Sequence, residues 1–138
     1  MNILFHNLFR HQDAGLFFYR IVFGLSMIAH GYFKFAGGSK VLYSVGSAMA
    51  QFGVPDGFLL LGTLAAAFEI IGGILVIFGF LTRLGALMII GTLLVATLVK
   101  LDSGFFAWDY PSQMMFGAIL LFIAGPGRYS VDAMFVKR

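Results

Sequence analysis

The sequence predicts an all-α membrane protein: a bundle of four transmembrane helices with an amphipathic interfacial helix between spans one and two. Three observations predict it. Of 138 residues, 60% are hydrophobic and only 11% charged, against roughly 25% charged in soluble domains. The mean hydropathy is +0.95. Four apolar runs approach the ~20 residues needed to cross about 30 Å of hydrocarbon. At this length a single domain over residues 1–138 is the natural reading.

The first run covers residues 14–35, with Arg20, His30 and Lys34 as its ionisable members. The second covers 57–81 and holds one charge, Glu69. The third, 84–101, follows a tight turn at Thr82-Arg83, so spans two and three form an antiparallel hairpin. The fourth covers 109–124. Asp109 suits its N-cap, Pro111 its first turn, and Gly125-Pro126-Gly127 cannot continue a helix. Residues 111–124 alone give roughly 21 Å at 1.5 Å per residue. The aromatic residues Phe105, Phe106 and Trp108 are therefore expected at membrane depth as well.

Between spans one and two, residues 37–56 are too polar to cross. Val41, Leu42, Val45, Ala48, Met49 and Phe52 recur at helical spacing, opposite Lys40, Ser44, Ser47 and Gln51. That pattern predicts an amphipathic helix over 40–52, lying on the membrane or capping the bundle. Ile3, Leu4, Phe5, Leu8 and Phe9 predict a second, weaker surface helix.

Basic residues set the expected orientation. Arg10, Arg83, Arg128, Lys137 and Arg138 fall on one side of such a bundle. Lys34, Lys40 and Lys100 fall on the other, accompanied by Asp56, Asp102 and Asp109. The excess places both termini in the cytoplasm.

Several function classes are excluded or disfavoured. The nine Lys and Arg residues are scattered singly and form no basic stripe for nucleic acid. Cysteine is absent, so disulfides, thiolate metal sites and Cys-based relays are excluded within this chain. The three His residues show no metal-ligand spacing, and no metal site is expected. The residues ahead of the first span lack a small-residue cleavage site, so that span is expected to stay as both targeting signal and structure.

Glu69 is the most informative candidate. It lies at the centre of its span, where an isolated carboxylate costs several kcal/mol and must pair, face the bundle or stay protonated. Gly62, Ala65, Ala66, Gly72 and Gly73 share its helix face, a stripe that lets neighbouring helices approach. Glu69 is thus expected on the packing face. Arg20, roughly 7 Å from the centre of span one, is the expected partner across spans one and two. That pair is either a structural lock or the polar floor of a ligand cavity. His30 and Lys34 stand one turn apart towards the other leaflet. They either meet a carbonyl-bearing or anionic headgroup, or serve as a satisfied histidine and a lysine extended to the interface. Gln113 is read as a helix–helix hydrogen-bond donor, and Lys100, Asp102 and Asp109 as solvated loop charges.

The chain resembles the DoxX-like family of small four-helix inner-membrane proteins. The residues that carry the resemblance are Arg20 with His30-Gly31-Tyr32-Phe33-Lys34, then Met49-Ala50-Gln51-Phe52-Gly53-Val54-Pro55. Phe68-Glu69-Ile70-Ile71-Gly72-Gly73, Phe78-Gly79-Phe80-Leu81-Thr82-Arg83 and Gly125-Pro126-Gly127-Arg128-Tyr129-Ser130-Val131-Asp132 complete it. The resemblance implies an inner-membrane protein linked to quinone-dependent oxidoreduction or oxidative stress, with quinone as the implied cofactor. An oxidoreductase partner subunit would supply catalysis, because the chain has no Rossmann fingerprint and no Cys.

The leading expectation is therefore an accessory subunit binding a quinone- or lipid-like ligand, the polar head met by Arg20, His30, Lys34 or Glu69. No residue is assigned a catalytic role. The alternative is a non-catalytic assembly or chaperone-like membrane protein whose buried charges are structural. A small-solute transporter is a third reading, which would need a homodimer to supply its second half.

Overall fold

The computed structural model describes residues 11–135 as helices joined by short turns. The expected surface helix at residues 3–9 lies outside the described residues, as do Arg10, Lys137 and Arg138. Helix α1 spans Gln12–Ala36 and α2 spans Gly38–Ser47, continued by a tighter 3-10 turn over Ala48–Phe52. Helix α3 is Phe58–Phe78, α4 is Thr82–Leu98, α5 is Phe105–Ala124, and a short α6 covers Asp132–Phe135.

Small residues set the spacing of the helices. A Cβ on Gly24 of α1 would stand 2.7 Å from the Gly73 carbonyl oxygen of α3, and one on Gly31 would stand 2.6 Å from that of Ala66. The two helices therefore run antiparallel at backbone contact, as apolar bundles without a hydrophobic driving force require. Gly72 and Gly85 bring α3 and α4 together in the same way, since a Cβ on either would stand 2.8 or 2.9 Å from the other's carbonyl oxygen. Helix α3 is thus central, packed on α1, α2 and α4, while α4 packs on α5. Tyr19 and Phe23 of α1 meet α5 beside Gly117 and close the ring. The core holds Phe23, Met27, Val76, Ala86, Ile89, Leu93, Ala118 and Leu121.

Two described helices, α1 and α3, are long and apolar enough to cross a membrane. Helix α4 is apolar with 17 residues. Helix α5 has 20 residues but carries Asp109, Ser112 and Gln113 in its first half.

Two boundaries differ from expectation. The turn between α3 and α4 lies at Gly79-Phe80-Leu81, not at Thr82-Arg83. Gly79 and Leu81 both take left-handed backbone, with φ of 63° and 47°, and Thr82 already begins α4. Leu81 adopts that costly conformation because the Asp132 carboxylate anchors its N–H. At α5, the helix starts four residues earlier than expected, because the aromatic turn at residues 105–108 joins it and extends it to roughly 30 Å. Asp109 consequently lies inside the helix instead of capping it. Its carboxylate accepts from Gln113 Nε2 at 3.0 Å, so Gln113 bonds within its own helix rather than across to another. Pro111 is interior and buried, and the Ser112 hydroxyl donates to the Asp109 carbonyl at 2.7 Å.

The amphipathic segment at 40–52 is helical, but divided between α2 and the 3-10 turn. Its buried residues are Leu42 and Gly46, whereas Val41 and Phe52 are exposed. Gly46 meets Gly62 of α3 so closely that a Cβ on either would collide with a backbone carbonyl, that of Phe58 or of Leu42.

Candidate ligand-binding site

The second half of α1, α2, the first half of α3, the middle and second half of α4 and the first half of α5 surround a cavity of about 610 Å³. Most of its wall is apolar, with Met27, Leu61, Ala65, Leu93 and Met114 among the lining residues. His30, Lys34, Glu69 and Tyr110 supply polar groups. Such a space, greasy with a few convergent polar groups, is the usual form of a small-molecule site.

Glu69 sits on the small-residue face of α3 and is only 2% exposed. Lys34 Nζ donates to its Oε1 at 2.5 Å. Oε2 is buried and has no hydrogen-bond partner among the described residues. A buried carboxylate oxygen without a donor is costly, so this atom is the site's open valence. One turn before Lys34, His30 Nε2 and the Tyr110 hydroxyl lie 2.7 Å apart, linking α1 to α5.

Arg20 does not join this group, and the expected Arg20–Glu69 pair is not formed. The reason is register. Gly24 meets Gly73 and Ile77, and Gly31 meets Ala66 and Ile70. Four residues earlier on α1, Arg20 therefore lies level with Gly79, against which its guanidinium packs. Side-chain direction adds to this, since helical side chains lean towards the N-terminus of their own helix. Lys34 leans inward to Glu69, while Arg20 leans outward to the chain after α5. Arg20 is fully buried. Its Nη1 donates to the Pro126 carbonyl and its Nη2 to that of Tyr129 at 2.5 Å. The C-terminal ends of α3 and α5 converge there, and their partial negative charge favours a cation.

Asp132 completes this second polar cluster, and sequence reasoning missed it. Its carboxylate accepts from the Leu81 N–H at 2.8 Å, the Thr82 N–H at 3.0 Å and the Thr82 hydroxyl at 2.9 Å. It thereby caps α4 from 50 residues away in the chain. Burial works to raise its pKa, but the Thr82 and Leu81 hydrogen bonds and the Arg20 charge outweigh this and hold it below the usual carboxylate value. Nearby, Asp13 accepts from the Arg128 N–H at 2.8 Å. The partnership of Tyr110 with His30 was also missed, because nothing in the sequence says which faces of α1 and α5 meet.

Outward, the bundle presents Phe18, Phe33, Phe78, Phe116 and Ile123, each more than 60% exposed. Water does not tolerate such a girdle. Buried charges inside a helical bundle with this surface define an integral membrane protein. A model of the DoxX family matches residues 15–101, more than half of the chain, and the chain belongs to that family. It is similar to "Inner membrane protein YqjF" of Escherichia coli, 36% identical over 92% of this chain and 96% of that protein. It is also similar to "Putative oxidoreductase CatD" of Bacillus subtilis, 30% identical over 91% of this chain and 90% of that protein. No solved structure matches.

Proposed function

We propose that the protein binds a quinone- or lipid-like ligand within a four-span bundle and serves as an accessory subunit in membrane oxidoreduction. The observation that carries this reading is Glu69 Oε2, which has no partner among the described residues and is buried beside the Lys34 ammonium in an apolar cavity of about 610 Å³. A quinone suits these residues. Lys34 Nζ offers donors to a ring oxygen, Glu69 Oε2 accepts from a ring hydroxyl of the reduced quinol form, and the apolar wall takes the ring and tail. When bound, the quinone would supply two-electron redox capacity. The chain's own residues hold its head, keep bulk water from it, and offer exchangeable protons at His30 and Tyr110. Electrons would come from a partner oxidoreductase; the Bacillus relative is itself named "Putative oxidoreductase CatD".

Arg20 is assigned no ligand role, since both its carbonyl partners belong to the C-terminal segment. In this reading α1, α3, α4 and α5 all cross the bilayer, α2 lies at the interface, and the basic excess at Arg83 and Arg128 keeps both termini in the cytoplasm. The test is solvent extraction of the purified protein followed by mass spectrometry. A quinone or other amphiphile should be retained by the wild type and lost from Glu69→Gln. Equal retention by the two would favour the alternative, an assembly protein whose Lys34–Glu69 pair is purely structural.

A further inference from the structure

Residues that line the cavity and also reach the outer surface fall into chemically different groups. Helices α3 and α4 touch at the Gly72–Gly85 crossing, close to the turn that joins them. Farther from that turn, Leu64 and Phe68 on α3, and Leu87 and Gly91 on α4, all line the cavity, yet the three larger residues are 41%, 39% and 50% exposed. Gly91 is exposed too, and a Cβ built on it meets nothing within 4 Å. A residue that both lines an interior and faces outward stands at a mouth. This mouth is wholly apolar and sits on the flank of the bundle. His30, Lys100 and Tyr110 likewise reach both cavity and surface, and they are polar.

We infer that the gap between α3 and α4 at Gly91 is a lateral portal to the lipid, through which the apolar chain of a membrane-dissolved amphiphile lies while its head rests at Lys34 and Glu69. The inference rests on the ligand-binding reading above and adds to it the ligand's class and route. The ligand is a single-chain lipid-phase molecule whose head carries a hydroxyl or other donor for Glu69 Oε2, and it is not delivered from water. An apolar mouth gives a polar solute no advantage, whereas each methylene that stays in lipid or on apolar side chains avoids hydration. The absent side chain of Gly91 leaves the gap open where any larger residue would narrow it.

The chain has no cysteine, so Gly91→Cys provides one addressable thiol at the mouth. In proteoliposomes a membrane-partitioning alkyl maleimide should label it, and a charged, water-soluble maleimide should not. Decylubiquinol, kept reduced, should slow that labelling, and the matching chainless quinol should not. Once labelled, the same folded protein should bind decylubiquinol about tenfold more weakly, comparable to losing roughly two methylenes of burial. Affinity for the chainless quinol should stay unchanged. Labelling by the water-soluble reagent, or equal loss of both quinols after labelling, would overturn the portal. Lipid-selective labelling that neither quinol slows would instead overturn the headgroup reading, and Glu69→Gln would then retain ligand as the wild type does.

Discussion

Lys34 and Glu69 form an ion pair of 2.5 Å that ties the second half of α1 to the centre of α3. The two partners are unequally placed. The Lys34 side chain is 24% exposed and that of Glu69 is 3% exposed. The ammonium reaches inward from near the end of its helix to a carboxylate that has no other donor among the described residues. Half of that carboxylate is left for something else, since one oxygen takes the lysine and the other takes nothing among the described residues.

Breaking this pair from one side should destabilise the bundle by about 3–5 kcal/mol. Lys34→Met is the severe case, because it leaves Glu69 buried without its partner. Combining it with Glu69→Gln should recover a large part of the loss. Thermal unfolding of the four proteins in detergent gives the coupling directly. Simple additivity would show that the pair contributes nothing.

Arg20 should act as a latch on the C-terminal segment. Arg20→Met removes both charge-assisted bonds to the carbonyls of Pro126 and Tyr129, each contributing roughly 1.5–3 kcal/mol. Arg20→Lys keeps the charge but not the fork that spans two acceptors. In both variants trypsin should cut after the exposed Arg128 sooner than in the wild type. Unchanged cleavage would show that the segment is held by other contacts. Ligand retention should persist in whatever fraction stays folded, which separates Arg20 from Glu69.

Asp132 predicts a pH dependence with a definite sign. Its folded pKa lies below the usual carboxylate value. The cap therefore contributes fully at pH above the unfolded value of about 3.9 and is lost as pH falls through the folded value. Near neutrality Asp132→Ala should cost about 1–2 kcal/mol, the usual scale for a lost helix cap. The gap between variant and wild type should close on acidification. A gap that widens as pH falls would reverse the assignment.

Much of this architecture was legible because apolar run length and small-residue spacing are local properties. The face of Glu69 followed from Gly62, Ala66, Gly72 and Gly73, all of which are buried with it. The partner of Glu69 did not follow. Counting depth along each span placed Arg20 and Glu69 at comparable levels, but which residues face each other depends on interhelical register. The contacts of Gly24 and Gly31 set that register, and no single run of sequence contains it. Side-chain lean was available in principle, since it favours a lysine late in α1 over an arginine early in it. Asp132 was quoted in a motif, yet its role joins the last short helix to the start of α4, a long-range contact that composition cannot supply.

The last prediction contrasts two glycines. Gly46 of α2 lies against α3, and a Cβ there would collide with the Phe58 carbonyl oxygen, a backbone atom that cannot rotate away. Gly46→Ala must therefore push α2 off α3, at a cost of roughly 1–3 kcal/mol for overpacking. Because Ser44, Val45, Gly46, Ala48 and Met49 line the cavity, displacing this segment should also loosen the site and lower ligand retention. Gly91→Ala adds the same methyl group where nothing lies within 4 Å. It should be neutral or stabilising, because alanine is favoured over glycine inside a helix by about 1 kcal/mol. Thermal unfolding and ligand retention of both variants, measured side by side, decide the matter. If Gly46→Ala matched the wild type in both, the close seating of α2 on α3 would not be what shapes the cavity.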